Sequence, residues 1–129
     1  MFKYTGILLL GTLFATSAWA QDAAEEDYEV VLPDAAQKCV LPASPDAIPP
    51  DADYDALLAA KEDVATFQAE VASYRECLQE AESAGELTPG NKQALVSSFN
   101  YTVDMEERVA ARFNEAVRTY KAQQAEAEE

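Results

Sequence analysis

Histidine is absent from this chain of 129 residues. No side chain that titrates near neutrality in its ordinary state is available, so the commonest general acid–base chemistry is missing. Basic residues are scarce as well: nine Lys and Arg stand against 24 Asp and Glu, a formal charge of −15. Phosphates are held by clustered Lys and Arg, so this balance argues against nucleic acid or anionic lipid as a partner. Basic proteins, cationic peptides and divalent metals suit the sign, and so does plain solubility with no partner at all. Cysteine is limited to Cys39 and Cys77, and without a Cys-x-x-Cys pair a redox enzyme lacks its motif. Paired carboxylates remain as an acid–base option, but the acids fall in solvated helical contexts with no identifiable pocket. No catalytic residue, cofactor or enzymatic activity is expected.

No apolar run is long enough to cross a bilayer. Gly6 to Ala20 falls short of the roughly 20 residues required and is interrupted by Thr12, Thr16 and Ser17. It reads instead as a cleavable secretory signal: Lys3 in a short positive region, an apolar stretch from Ile7 to Phe14, and Ala18-Trp19-Ala20 as a small-x-small cleavage site. The mature protein is expected to start at Gln21, to contain about 109 residues in one small domain, and to be soluble in the periplasm with no membrane contact. Loss of Lys3 takes the charge one unit further negative.

Residues 21–38 open with a flexible acidic leader carrying Glu25, Glu26, Asp27 and Glu29 without a helical stripe. Pro42, Pro45, Pro49 and Pro50 then favour an extended, polyproline-type path that is at least partly docked. From Asp53 to Ser83, Leu57, Ala60, Val64, Phe67, Val71, Tyr74, Leu78 and Ala81 recur at alternating spacings of three and four, a heptad seam that predicts a helix. Asp51 or Asp53 is placed to cap it. Gly85 is placed to end it in a left-handed turn. Thr88-Pro89 announces a second helix, with a hydroxyl cap followed by proline at the first helical position, running to about Lys121. Its expected stripe is Val96, Phe99, Val103, Ala110, Phe113, Val117 and Tyr120, widened by Leu95 and Val109 and broken by Glu106. Residues 122–129 read as a frayed acidic tail. The fold class is therefore all-α: an antiparallel, coiled-coil-like two-helix hairpin over residues 39–121. Such a hairpin is thin, and a partner hairpin or the proline segment is needed to cover its flanks.

An exported chain with two cysteines usually pairs them. Cys77 lies about 37 Å up the first helix from Ala52. An extended chain from Ala52 back to Cys39 spans roughly 40 Å. The lengths match, so a proline segment running back along the helix brings Cys39 level with Cys77, with Leu41 and Ile48 on the hairpin's flank. An intermolecular bridge and free thiols are the alternatives.

Three further patterns have bland readings beside sharp ones. Asp51, Asp53, Asp55 and Glu62 match positions 1, 3, 5 and 12 of a calcium loop, but Ala56 stands where glycine makes the turn and Pro49-Pro50 leaves no entering helix. An acidic helix start is the simpler reading. Asn100-Tyr101-Thr102 is a glycosylation triplet inside an expected helix, and such triplets are common by chance. Arg108, Arg112 and Arg118 form a small basic face that suits pairing with Glu107, Glu115 or the first helix.

Cys39-Val40-Leu41-Pro42 with its proline run, Tyr74-Arg75-Glu76-Cys77-Leu78, and the stretch from Ala111 to Lys121 resemble a family of short exported proteobacterial proteins of unknown function. The resemblance implies a periplasmic location and no known activity. The family's Pro-Asp-Gly is Pro50-Asp51-Ala52 in this chain, so the helix entry is expected to differ. Leu87-Thr88-Pro89-Gly90-Asn91 resembles, more distantly, the Leu-Thr-x-x-Gln motif of periplasmic stress chaperones, departing at the last position; capping by Thr88 accounts for it equally. The expected role is a non-catalytic periplasmic protein working by self-association or by contact with another periplasmic protein. Client binding as a chaperone comes second, and divalent-cation binding third.

Overall fold

The computed structural model describes residues 28–129; the expected signal segment 1–20 and the first part of the acidic leader, 21–27, lie outside the described residues. The chain forms a short 3-10 turn at Ala36–Lys38 and two helices, α1 Tyr54–Ser83 and α2 Pro89–Ala127, packed as an antiparallel hairpin. No strand occurs among the described residues. Helix α1 starts where expected because the Asp53 carboxylate accepts the Ala56 N–H at 2.8 Å. Ahead of it, the Ala52 N–H donates to the Pro49 carbonyl at 3.1 Å. That closes a β-turn with Pro50 at the position its fixed φ suits. No described residue has positive φ, so this entry needs no glycine. Helix α2 starts with a reciprocal box: the Asn91 N–H donates to Thr88 Oγ1 at 3.0 Å, and the Thr88 N–H donates to Asn91 Oδ1 at 3.2 Å.

The seam of α1 is the expected one, with Leu57, Phe67, Val71, Tyr74, Leu78 and Ala81 buried and Ala60 and Val64 half-buried. Its core falls into two clusters. Near the hairpin turn, Tyr74, Leu78 and Ala81 meet Leu95 and Ala36; farther along, Phe67 and Val71 meet Met105 and Val109.

The stripe of α2 departs from expectation mainly in its first half. Leu95 and Val109 are buried and Val103, Phe113, Val117 and Tyr120 half-buried, as expected, but Thr102 and Met105 are buried too, whereas Val96 is 56% exposed, Phe99 40% exposed and Ala110 exposed. Successive residues are about 100° apart on a helix, so facing the seam with Leu95 and Thr102 in place of Val96 and Phe99 turns this part of the stripe sideways. Thr102 is the reason. Its hydroxyl counts as polar in a pattern, yet at 0% exposure it donates to the Phe99 carbonyl at 2.6 Å and accepts from Arg75 Nε at 2.8 Å, so its burial leaves nothing unsatisfied.

Three other expectations are corrected. Gly85 makes no left-handed turn: α1 ends at Ala84 with φ −80° and ψ −9°, its N–H reaching the Ala81 carbonyl at 3.4 Å in a tightened last turn. The tail does not fray at Lys121, because Ala122 to Ala127 are Ala, Gln and Glu, all good helix formers. Gln123 also donates to the Pro50 carbonyl at 3.1 Å, tying the far end of α2 to the helix entry. The described part of the leader is docked. Leu32 packs on the turn-end cluster, Ala36 is 1% exposed, and Asn91 Nδ2 donates to the Val31 carbonyl at 2.8 Å.

The proline segment runs back along the hairpin. Pro42 is buried and Cys39, Pro45 and Ile48 are half-buried, a period of three. That is the repeat of a polyproline II helix showing one face to its support. Ile48 lies on the flank as expected. Leu41 does not: it points outward at 42% exposure, and Pro42 takes the covered position.

Candidate functional site

Cys39 and Cys77 are bonded, with their Cα atoms 5.7 Å apart. The bridge joins the start of the proline segment to α1 beside Tyr74 and Leu78, where Cys39 packs on the turn-end cluster. Both cysteines are half-buried. The arrangement is a staple: it holds an otherwise hydrogen-bond-poor extended segment against a helix.

The other patterned residues do not assemble into chemistry. Asp53 is occupied as a helix cap, and Asp55 and Glu62 stand exposed on α1 a helical stretch apart. Among the described residues no group of three or more Cys, Asp or Glu side chains is placed to hold a metal ion. Asn100 lies mid-helix, and Thr102 of its triplet is buried and doubly hydrogen-bonded. Of the basic face, Arg118 pairs with Glu115 in an exposed bridge of the kind that contributes little. Arg108 donates to the Asp104 carbonyl at 3.2 Å and lies 5.9 Å from the Tyr101 ring centre. Arg112 lines a small crevice with Pro45, Asp46, Ile48 and Asp63.

One polar node has no counterpart among the sequence expectations. Arg75 crosses from α1 to α2, where Nε donates to Thr102 and Nη2 to Glu106, and its guanidinium lies 4.8 Å from the Phe99 ring centre. The side chains of Arg75 and Glu106 are 21% and 29% exposed, sheltered enough to strengthen the pair. Glu106, the apparent break in the apolar stripe, was the available signal: a lone acid beside a helical seam asks for a base on the facing helix.

The proline segment covers only one flank, so the two sides of the hairpin differ. On the uncovered side a groove of about 430 Å³ runs between the helices over Leu78, Leu95, Val96 and Phe99, edged by Arg75, Lys92 and Glu82. On the covered side a larger groove of about 660 Å³ lies between the outer edge of the proline segment and α1. Its walls are Val40 and Leu41; its floor is Thr66, Ala69 and Ser73. It continues into a shallower trough of about 310 Å³ that reaches Asp46 and Asp63. No helix of the described residues is long and apolar enough to cross a membrane. In comparisons with known proteins, no family model, no curated protein and no solved structure matches the chain.

Proposed function

We propose that this is an exported periplasmic protein that acts without catalysis, through protein contact, and that its first contact is with a second copy of itself. The observation that carries the reading is the uncovered flank. Val96 at 56% and Phe99 at 40% exposure sit beside the buried Leu78 and Leu95, while the opposite flank has a covering segment of its own. A two-fold interface uses one patch twice, so the patch must be complementary to itself. This one has an apolar centre with Lys92 on its rim and Glu82 beside it, and so offers both signs. Two hairpins joined there form a four-helix bundle, the usual way a two-helix hairpin buries its second seam. The half-buried Cys39–Cys77 bridge supports the export part of the reading, because such bridges persist in oxidising compartments.

Sedimentation at rising protein concentration tests it. The chain is expected to dimerise and the Val96→Ser, Phe99→Ser double variant to remain monomeric with unchanged helix content. A wild-type chain that stays monomeric into the high-micromolar range removes self-association. The chaperone reading draws on the same exposed Phe99 and Val96, and predicts that the wild type, but not that variant, suppresses aggregation of an unrelated unfolded protein.

A further inference from the structure

We infer that the groove beside the proline segment is a docking site for a basic peptide segment bearing apolar side chains, supplied by another protein. The inference rests on the reading that the protein works by contact, but not on self-association, which uses the opposite flank.

The groove has two unlike ends. Near the disulfide its wall is Val40, 82% exposed, and Leu41, 42% exposed. These side chains are held outward because Cys39 and Pro42, on either side of them, are fixed to the hairpin by the staple and by burial. An apolar side chain that exposed is ordinary when single; two adjacent ones lining one concave surface offer an anchor. The floor below them is Thr66, Ala69 and Ser73, small residues that leave room for a backbone to approach α1, and the Ser73 hydroxyl is turned back to the Ala69 carbonyl at 3.1 Å. Toward the other end the surface becomes acidic. Glu70 lines both parts of the groove, and Asp46 and Asp63 line the far part. No Lys or Arg lines either part. Arg112 shares the adjoining crevice with Asp46 and Asp63, but none of the three carboxylates is in an ion pair among the described residues, so all three remain open to a cationic side chain. The occupant is therefore specified by chemistry at both ends, with apolar side chains at Val40 and Leu41 and cationic side chains at Glu70, Asp63 and Asp46. The chain's −15 charge adds long-range attraction for such a segment, which raises the rate of encounter more than the final affinity. A second copy is a poor occupant, because it presents the same excess of acid.

The probe is a fluorescein-labelled peptide of repeating Lys-Leu-Ala, titrated into the full-length mature protein and followed by anisotropy, with a Glu-Leu-Ala peptide as the opposite-sign control. The Glu70→Gln, Asp63→Asn double variant is expected to weaken Kd about tenfold, and Val40→Ser with Leu41→Ser by a similar factor, about 1.4 kcal/mol each. A charge-matched control, Glu80→Gln with Glu107→Gln, lies outside the groove and is expected to change Kd less than twofold. Equal weakening by that control, or no loss with Val40→Ser and Leu41→Ser, means that net charge alone draws the peptide, and overturns the site. Binding of the acidic peptide as tightly as the basic one also overturns it. Loss of peptide binding in the Val96→Ser, Phe99→Ser variant would place the contact on the opposite flank and refute this groove, whereas loss of dimerisation alone in that variant leaves it standing.

Discussion

Arg75 shows how much one side chain can decide in a two-helix protein. Its guanidinium spans the hairpin interface, satisfies the buried Thr102 hydroxyl and pairs with Glu106. A double-mutant cycle on Arg75→Ala and Glu106→Ala is expected to give a coupling of about 1–2 kcal/mol, against less than about 0.5 for the exposed Arg118 and Glu115 pair. Equal couplings would mean that the shelter around Arg75 adds nothing. Gly90 makes a second residue-scale point. A methyl group there would collide with the Glu29 carbonyl oxygen, so glycine is required by the close approach of the leader and not by a special φ. Gly90→Ala is expected to release residues 28–33 to proteolysis and fast amide exchange while the helices keep their protection. If the leader contact were inconsequential, the substitution would instead raise stability by up to about 1 kcal/mol through helix propensity. Gly85 lacks that constraint, since a methyl group added to it would meet nothing within 4 Å.

At the scale of elements, the proline segment is the informative part. It has the composition of a linker but is folded, with one face of a three-residue repeat against the helices and its ends held by the Cys39–Cys77 bridge and the turn at Pro49. Closing a loop of sequence separation 38 contributes about 4 kcal/mol on the chain-entropy account. The Cys77→Ser variant, or the wild type in reductant, is therefore expected to melt roughly 15–30 °C lower by circular dichroism. Identical melting curves would show that burial of Pro42 and Ile48 holds the segment without the bridge. The residues that made this element legible were the two cysteines and the prolines between them, because extended and helical rises per residue are fixed quantities and the two paths could be compared. The docking of Leu32 and Ala36 had a weaker signal, the short apolar run Val30-Val31-Leu32, which has no periodicity to say which surface it meets.

For the molecule as a whole, the three elements give a long, thin body whose two flanks differ: one covered by the proline segment, one bare along Val96 and Phe99. Its acidity bears on both proposed contacts with opposite sign. Self-association brings like charges together and should strengthen as salt screens them, whereas capture of a basic peptide should weaken over the same range. Sedimentation and anisotropy measured in the same salt series are expected to show those opposite trends, and parallel trends would mean that the two contacts share one surface.

The sequence by itself determined the two helices, the cap at Thr88 and the seam of α1; it narrowed the first cap to Asp51 or Asp53 and favoured the pairing of Cys39 with Cys77. Each of these follows from local hydrogen bonding, periodicity or chain length, which need no knowledge of distant neighbours. Tertiary structure decided the rotation of α2. A buried threonine and a sheltered acid are acceptable only because Arg75 reaches them from the other helix, and a pattern that scores polarity one residue at a time contains no term for a partner 27 or 31 residues away. That rotation turned Val96 and Phe99 outward, and with them set which flank of the hairpin is left to meet another molecule.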